Sequence, residues 1–553
     1  MILLPLSKAL LQIDMKTLFI SFVDYNRFPT HEIKVGNIGI GGNNPIRVQT
    51  MTNTNTSDIE ATLSQIIRIY NAGADLVRVS VPHMDDVKAL KQIKKRLITN
   101  NIHIPVIADI HFNPSLAEAI APYVEKVRIN PGNYVNRSKS AQAKIYSIED
   151  EQNELDEIRQ RLAPLLSLCK QHNTAIRIGI NYASLSWRMV NKFGNTPMAM
   201  VQSAVEFIDI CRAENFQNLI ISLKASDIHN TIYANRLFVE EMTKRNWHYP
   251  IHVGITEAGL DLEGRVKSAI GIGSLLCDGI GDTVRVSLTE APEKEIPIAK
   301  EMVSLISSFN KNIETKKEWK HQPFIYKQRT TEPISTFMGG NNPIPFITVA
   351  KNEQMPKQWE QIFHSTEKAI GIDICEEDTV FDIRKKVYEK MDSDKPIYMI
   401  FDAKQGVQSQ LTRFSVICGN LFAEGLVQGI VVKCLEKEKE QAEQMLKAML
   451  QVTGARRTGN EYISCPSCSR TKFDIEKMAR EVKKATQQFK GFKIAVMGCV
   501  VNGPGEMQDA DYGFVGAGNN LLMLYKKGEI IAKNITLNDA ISLLLDEINR
   551  SQS

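Results

Sequence analysis

The stretch "LVRVSV", residues 76–81, sets an arginine and a serine among valines. It is one of eight short apolar runs rich in β-branched residues between residues 31 and 300. The other seven are "PIRVQTM" from 45, "IPVIADI" from 104, "KVRIN" from 126, "AIRIGI" from 175, "LIISLK" from 219, "PIHVGI" from 250 and "TVRVSL" from 283. Helical patterns separate the runs, which indicates repeated βα units and a parallel sheet. Eight units predict an α/β protein with an N-terminal (β/α)8 TIM barrel.

Polar side chains fall in the last part of each later run or just after it. They are Arg78 and Ser80, Asp109 and His111, Arg128 and Asn130, Arg177 and Asn181, Lys224, Thr256 and Glu257, and Arg285 and Ser287. The carboxyl ends of barrel strands surround one mouth, where active sites are built. We therefore expect these side chains to meet at one site.

Four arginines and one lysine in this set point to an anionic ligand, because guanidinium forks fit phosphate oxygens. The expected ligand is a diphosphate or two phosphoryl groups; structural ion pairs with Asp109 and Glu257 are the alternative. Glu257, in "TEAG", is a candidate acid or base, and His111 is either functional or a satisfied structural histidine. No G-x-x-x-x-G-K-[ST] motif or complete dinucleotide fingerprint occurs, which disfavours a dedicated nucleotide fold.

The composition indicates an ordinary globular protein of several domains. The chain has 553 residues, too many for one core, and its 67 basic and 63 acidic residues give a net charge of only +4, which disfavours a nucleic-acid surface. Nine cysteines that are mostly scattered indicate a reducing cytoplasm. The apolar start is interrupted by Lys8, Gln12, Asp14 and Lys16, so that it makes a poor membrane span and a poor signal peptide.

An octapeptide repeat marks a second unit. "GGNNPIRV" at 41–48 returns as "GGNNPIPF" at 339–346, each time before an apolar strand. The polar strand ends of the first unit are mostly missing from the second, which predicts a barrel-like insert with a structural role. The predicted divisions are 1–30, an N-terminal extension; 31–300, the barrel; 301–455, the insert with its linker; and 456–553, a small α/β unit.

Three cysteines of the last unit form a candidate metal site. "SCPSC" supplies Cys465 and Cys468, and "MGCVVNGPGE" supplies Cys499 and ends at Glu506. An iron–sulfur cluster, a zinc site, a redox dithiol and buried hydrophobic cysteines all remain open, although the absence of histidine from residues 456–553 favours iron over zinc. Glu506 is either a fourth ligand, which would leave one iron labile, or a turn residue facing water.

Nine stretches together resemble one family. They are "GGNNPIRVQTMTNTNTSD", "AGADLVRVSVP", "ADIHFNP", "VRINPGN", "SLKASD", "GITEAG", "SAIGIGSLLCDGIGDTVRVSL", "ISCPSCSRTKFD" and "MGCVVNGPGE". The resemblance is to the 4-hydroxy-3-methylbut-2-enyl diphosphate synthases of the methylerythritol phosphate route to isoprenoids, in their long, three-domain form. One departure is Ala183, in a place where the family usually has glycine, which puts a close backbone approach there in doubt.

The resemblance implies a [4Fe–4S] cluster on Cys465, Cys468, Cys499 and Glu506. It implies 2-C-methyl-D-erythritol 2,4-cyclodiphosphate as the substrate, with two electrons from flavodoxin or ferredoxin opening the ring and expelling a hydroxyl as water. The expected substrate-binding residues are Arg78, Arg128, Asn130, Arg177, Asn181, Lys224, Arg285 and Ser287. The expected catalytic residues are Glu257, Glu506, Thr256, Asp109 and His111.

The cluster unit must close over a barrel mouth, either its own or that of a partner in a homodimer. Two readings of other kinds remain: an iron–sulfur electron carrier whose barrel is not catalytic, and a zinc-stabilised phosphate-ester lyase that uses Glu257 as its base.

Overall fold

The structure is a computed structural model. It describes residues 25–135, 146–307, 324–350, 353–363, 367–403, 405–471, 473–501, 503–518 and 520–552. Most of the predicted N-terminal extension and the middle of the predicted linker therefore lie outside the described residues. Within those ranges, no helix is both long and apolar enough to cross a membrane.

Ten strands form the first unit. They are β1 (Ile33–Val35), β2 (Ile38–Ile40), β3 (Arg47–Met51), β4 (Leu76–Ser80), β5 (Val106–Asp109), β6 (Lys126–Ile129), β7 (Ala175–Asn181), β8 (Leu219–Lys224), β9 (His252–Val253) and β10 (Thr283–Val284). Strands β3 to β10 pair in parallel and in chain order, and β10 returns to β3. An Ile221–Ile251 bridge joins β8 to the residue before β9 and completes the ring. The predicted TIM barrel and all eight of its strands are confirmed.

Nine helices of the described chain surround the barrel. They are α1 (Ile59–Asn71), α2 (Met84–Thr99), α3 (Pro114–Ile120), α4 (Ile148–His172), α5 (Trp187–Phe193), α6 (Pro197–Ala213), α7 (Ile228–Lys244), α8 (Asp261–Cys277) and α9 (Glu295–Ser307). Several start at a side chain that accepts a backbone N–H of the first turn, as Asp58, Ser147 and Asp227 do. The β1–β2 hairpin packs against Leu76, Ile107, Ala175 and Ile220 at the amino ends of the strands, so the other end is the open mouth.

The insert is a four-stranded parallel sheet. Its strands β11 (Phe346–Ala350), β12 (Ile370–Ile374), β13 (Ile397–Asp402) and β14 (Gly429–Cys434) lie in the order β12-β13-β14-β11. Its helices are α10 (Lys357–Phe363), α11 (Val380–Lys390), α12 (Leu411–Phe414), α13 (Asn420–Ala423) and α14 (Lys439–Val452), with one π-helical turn between α12 and α13. The order matches β8-β9-β10-β3 of the barrel, so the insert has the topology of half a barrel.

The repeated octapeptide adopts the same turn in both units. Gly41 and Gly339 have φ values of +80° and +76°, which glycine tolerates best. An added Cβ at Gly41 would meet the ring of Pro250, and one at Gly339 would meet the ring of Pro396. The turn before the first strand of the insert therefore has the same backbone conformation as the turn before β3, as the prediction of a duplicated, barrel-like insert requires.

The contact between barrel and insert is nearly symmetric. Asn420 donates to the Ser274 hydroxyl at 2.9 Å. A Cβ at Gly273 would strike Val416, and one at Gly419 would strike Ile270, so the same two positions of each copy face each other. Beside them lie four buried side chains. Arg236 and Asp278 of the barrel pair at 2.8 Å, and each also pairs across the contact, Arg236 with Glu424 at 2.6 Å and Asp278 with Arg384 at 3.3 Å.

The C-terminal unit, described here from residue 461 to 552 with the gaps given above, is a five-stranded mixed sheet. Its strands are β15 (Glu461–Ser464), β16 (Lys493–Met497), β17 (Tyr512–Gly518), β18 (Leu521–Lys526) and β19 (Glu529–Thr536). Its helices are α15 (Ile475–Thr486), α16 (Gly503–Glu506) and α17 (Leu537–Gln552). The cysteine loops follow β15 and β16, which are parallel neighbours, so both loops leave the same edge.

Candidate active site

The barrel mouth and the C-terminal unit enclose a cavity of about 100 Å³. The strand-end residues that line it are Arg78, Asp109, His111, Arg128, Arg177, Asn181, Lys224, Thr256, Glu257, Arg285 and Ser287, and the opposite wall carries Cys465, Cys468 and Cys499. Residues that are up to 421 positions apart in the chain thus share one space. The geometry brings together the two sites that were predicted separately.

The cationic side chains of this wall repel one another. Burial, opposed by Asp109 but aided by Arg285 and Arg128, lowers the pKa of Arg78 to about 9. Burial and the charges of Arg78 and Arg128 hold the pKa of Arg177 well below its usual range. The Nε and Nη1 atoms of Arg177 have no hydrogen-bond partner among the described residues. Buried cations that repel one another are stabilised when an anion binds among them, so this wall is suited to bind a negatively charged ligand.

Asp109, His111 and Arg128 form a compact group on the wall. Arg128 donates to Asp109 Oδ1 at 3.3 Å, to the Gly179 carbonyl at 2.9 Å and lies 2.5 Å from His111 Nε2. Burial, and then the charge of Arg128, lowers the pKa of His111 from 6.5 to about 3. His111 is therefore a neutral imidazole, and it accepts from Arg128 at Nε2 with its proton on Nδ1.

Two further cationic side chains, Arg285 and Lys224, contact residues that do not line the cavity. The expectation that site residues lie at strand ends did not identify these residues. Arg285 lies 3.4 Å from Glu295 Oε2, which also accepts from Thr50 at 2.5 Å. Nζ of Lys224 lies 3.1 Å from Nε2 of His252, and burial, followed by the charge of Arg177, holds the pKa of Lys224 well below its usual range. Burial, and next the charge of Lys224, holds the pKa of His252 well below its usual range. Glu295 starts a helix and His252 starts a strand, so neither position marked it in advance.

Like Ser80, whose hydroxyl accepts from Arg470, Asn130 is a predicted strand-end residue that does not line the cavity. Its side-chain amide donates to Ser184 Oγ at 2.9 Å. This bond supports the turn that follows Asn181, where the chain leaves strand β7. Its predicted role in binding substrate stays a prediction, and the observed contact is with that turn.

Two carboxyl groups meet below the cysteine wall. Glu506 is 3% exposed and accepts from Thr256 Oγ1 at 3.3 Å, while Glu257 lies within hydrogen-bond reach of it. Burial, and then the charge of Glu257, holds the pKa of Glu506 well above its usual range; burial also raises the pKa of Glu257. Glu257 sits at φ +48°, a left-handed conformation that is uncommon for a non-glycine residue. The alternative of a glutamate facing water is wrong.

The "CPSC" loop is tightly bonded. Thr471 Oγ1 accepts the backbone N–H of Cys468 at 3.1 Å, and the backbone N–H of Gly498 donates to Cys465 Sγ at 3.3 Å. Burial and the neighbouring Cys499 and Cys468 raise the pKa of Cys465. Across the described ranges, no three histidine, cysteine or acidic side chains are placed to hold one metal ion. A cluster of four irons differs in this respect, because each thiolate binds a different iron.

Several bonds fix the C-terminal unit to the barrel of the same chain. Thr289 Oγ1 donates to the carbonyls of Ser464 and Cys465 at 3.1 and 3.0 Å. Arg480 pairs with Asp261 at the rim, at 2.5 Å. Arg470, which sequence reasoning missed, donates to Ser80 Oγ at 3.1 Å and to the Asp109 carbonyl at 3.3 Å.

Ala183 touches the turn that carries Glu506. A Cβ built on Gly505 would lie 2.2 Å from the Ala183 carbonyl oxygen and 3.1 Å from its Cβ. The close approach that Ala183 put in doubt is therefore retained, and Gly505 makes room for it.

Comparison with known proteins gives one consistent family. The GcpE TIM-barrel domain model matches residues 30–300, and the GcpE protein C-terminal domain model matches residues 461–550. Proteins named 4-hydroxy-3-methylbut-2-en-1-yl diphosphate synthase (flavodoxin) are similar along nearly their whole length. The one from Parabacteroides distasonis is 35% identical over 96% of this chain and 99% of its own, and the one from Akkermansia muciniphila is 35% identical over 95% and 96%. A third, from Protochlamydia amoebophila, is 34% identical over 94% and 96%. On this identity and coverage, the chain belongs to the GcpE family of 4-hydroxy-3-methylbut-2-en-1-yl diphosphate synthases.

Proposed function

We propose that the chain reduces 2-C-methyl-D-erythritol 2,4-cyclodiphosphate to (E)-4-hydroxy-3-methylbut-2-enyl diphosphate. The observation that carries the proposal is the shared cavity, in which a group of buried cations faces three cysteines. A protein that only bound an anion would not need the cysteines, and a protein that only held a metal would not need the buried cations. A redox reaction on a diphosphate ester needs both.

The donor set fits an iron–sulfur cluster. Cys465, Cys468 and Cys499 line one wall, and the backbone N–H on Cys465 Sγ is of the kind that surrounds such clusters. Glu506 is buried with an Oε1 atom that has no partner among the described residues. These four residues would hold a [4Fe–4S] cluster, which when bound supplies the reducing electrons and a Lewis-acidic iron.

The barrel wall binds and orients the diphosphate. Arg78, Arg128, Arg177, Lys224 and Arg285 supply the charge, with Asn181 and Ser287 as neutral donors. The repulsion among the cations is relieved when an anion binds, and this adds to the affinity. Asp109, behind Arg128, fixes the direction of that guanidinium, and Glu295 does the same for Arg285.

Glu257 is the proposed proton donor. Ring opening takes up two electrons and one proton as the hydroxyl leaves as water. Glu257 lies in the cavity wall beside Thr256, and its Oε2 atom has no partner among the described residues. A buried carboxyl can hold a proton for this step, and Thr256 fixes the neighbouring Glu506. The neutral His111, whose Nδ1 atom has no partner among the described residues, can donate a hydrogen bond to the substrate but not a proton.

The remaining expectations are part of the proposal. Flavodoxin, or ferredoxin in its place, supplies the electrons, and the protein acts in the cytoplasm. The division into 1–30, 31–300, 301–455 and 456–553 is a proposal for the domains. A second cavity of about 460 Å³ shares His111, Arg470 and Cys499 with the first as lining residues.

We also propose that the site closes within one chain, without a homodimer. Contacts to the barrel's own mouth, at Thr289, Asp261 and Ser80, already seat the C-terminal unit. The insert meanwhile covers helices α7 and α8 of the barrel. Mixing a Cys465→Ser variant with a Glu257→Gln variant tests this idea, because recovered activity would require the two chains to exchange units.

Anaerobic reconstitution tests the function. We expect about four irons per chain and turnover of the cyclodiphosphate with a chemical reductant. Glu506→Ala should abolish turnover, while Cys375→Ala, which alters an exposed cysteine outside this cavity, should leave it unchanged. Zinc in place of iron, or full activity of Glu506→Ala, would contradict the proposal.

A further inference from the structure

Arg470 joins the cysteine wall to the barrel mouth. Its side chain is mostly buried, and it lines both the inner cavity and the outer one. On the barrel side it donates to Ser80 Oγ and to the Asp109 carbonyl, and its Nη1 lies 3.6 Å from Asp109 Oδ2. On the other side the same Nη1 lies 4.0 Å from Cys468 Sγ.

The position of Arg470 beside Cys468 affects how readily a cluster bound to the cysteines would accept an electron. A positive charge next to a ligand sulfur favours the state with more negative charge, which is the reduced cluster. The effect is larger for a buried charge, and only 10% of the Arg470 side chain is exposed. Hydrogen bonds to ligand sulfurs shift the potential in the same direction.

We infer that Arg470 is a positioning residue that raises the reduction potential of the proposed cluster through Cys468, and that it does so because the barrel holds it there. The inference rests on the proposed function. It adds that the barrel takes part in setting the potential, since three of the four groups named around the guanidinium belong to strands β4 and β5. Opening of the C-terminal unit would remove that support.

The pair of Arg480 with Asp261 provides a matched control. It also joins the C-terminal unit to the barrel, but its guanidinium is 45% exposed and lines neither cavity. Arg480→Gln therefore weakens the same contact without removing charge from the cluster. A change caused by looser closure alone should appear in both variants.

The experiment is a redox titration followed by electron paramagnetic resonance on the reconstituted full chain. At the wild-type midpoint potential, we expect Arg470→Gln to show about a tenfold lower ratio of reduced to oxidised cluster, equal to about 59 mV for one electron. Arg470→Lys, which keeps the charge, should recover part of the shift. Ser80→Ala, which removes one barrel bond, should move the midpoint in the same direction by less.

Two results would overturn the inference. One is a wild-type midpoint in an Arg470→Gln protein that holds its full complement of iron. The other is an equal shift in Arg480→Gln. If Arg470→Gln cannot hold iron, the Arg470→Lys and Ser80→Ala midpoints decide the question. Turnover of the wild-type protein with a chemical reductant is measured in parallel. Absence of wild-type turnover would refute the proposed function, whereas a wild-type midpoint in iron-loaded Arg470→Gln would refute only the inference.

Discussion

Replacing Gly505 by alanine adds one methyl group at a tight contact of the candidate site. The new Cβ would lie 2.2 Å from the Ala183 carbonyl oxygen, so the two must separate by about 1 Å to reach an ordinary contact distance. Gly505 lies in helix α16, where alanine by itself would favour the helix by about 1 kcal/mol. Overpacking a tight site costs about 1–3 kcal/mol, so the steric term should prevail.

The larger effect should be on turnover. Glu506 follows directly in the chain and would be displaced with the turn. A 1 Å displacement in an active site costs about 100-fold in rate, and we expect a loss of that order in kcat. Ala183→Gly should not restore full activity, because it removes the 3.1 Å contact with the Ala183 methyl group and leaves the more severe 2.2 Å clash with the backbone oxygen.

The assay is anaerobic turnover of the cyclodiphosphate with a chemical reductant, together with urea unfolding of the cluster-free protein. Gly459→Ala is the matched control, since nothing lies within 4 Å of a Cβ at that position. If Gly505→Ala matched Gly459→Ala in both activity and stability, the steric reasoning would be refuted. So would a full rescue by Ala183→Gly.

Three further predictions concern charge. Glu424→Gln removes one charge from the buried group around Arg236 and should lower the free energy of unfolding by about 3 kcal/mol, whereas Glu60→Gln, in an exposed pair, should leave urea unfolding unchanged. Arg177→Met should raise the free energy of unfolding of the cluster-free protein by about 1–3 kcal/mol, because it removes buried unpaired N–H groups, while calorimetry shows at least tenfold weaker substrate binding; lower stability would contradict this. The pKa of His111 is lowered from 6.5 to about 3, so between these pH values the unfolded chain binds a proton that the folded chain does not. Stability should therefore fall as the pH decreases from 6.5 towards 3, and His111→Gln should make that fall less steep; an unchanged slope would count against a neutral His111.

Strand-end chemistry made much of the barrel wall predictable. Arg177 could be predicted as a site residue because a cationic side chain within a run of β-branched residues is seldom needed for packing. The carboxyl ends of the strands also meet at one mouth. The same rule did not foresee that Asn130 bonds to Ser184 and that Ser80 bonds to Arg470, so that neither side chain lines the cavity. The position of a residue along a strand predicts how close it lies to the barrel mouth. The contacts of its side chain depend also on the neighbouring loops.

Residues that act across units could not be found in this way. Arg470 lies 390 positions from Ser80, and nothing in the local sequence marks the pair. Glu295 and His252 stand behind other side chains, and sequence patterns carry no signal for that. The octapeptide repeat predicted a related insert, but only the strand order showed that the insert has the topology of half a barrel and which half that is.

The near-symmetric contact between barrel and insert has a consequence for how such a chain can change. A surface that fits a copy of itself needs high affinity when the copies are separate molecules. When both copies belong to one polypeptide, the linker keeps the local concentration of each near the other in the millimolar range. Equivalent positions of the barrel and the insert can then carry different residues, as at Ser274 and Asn420 or at Asp278 and Glu424. The two surfaces still associate.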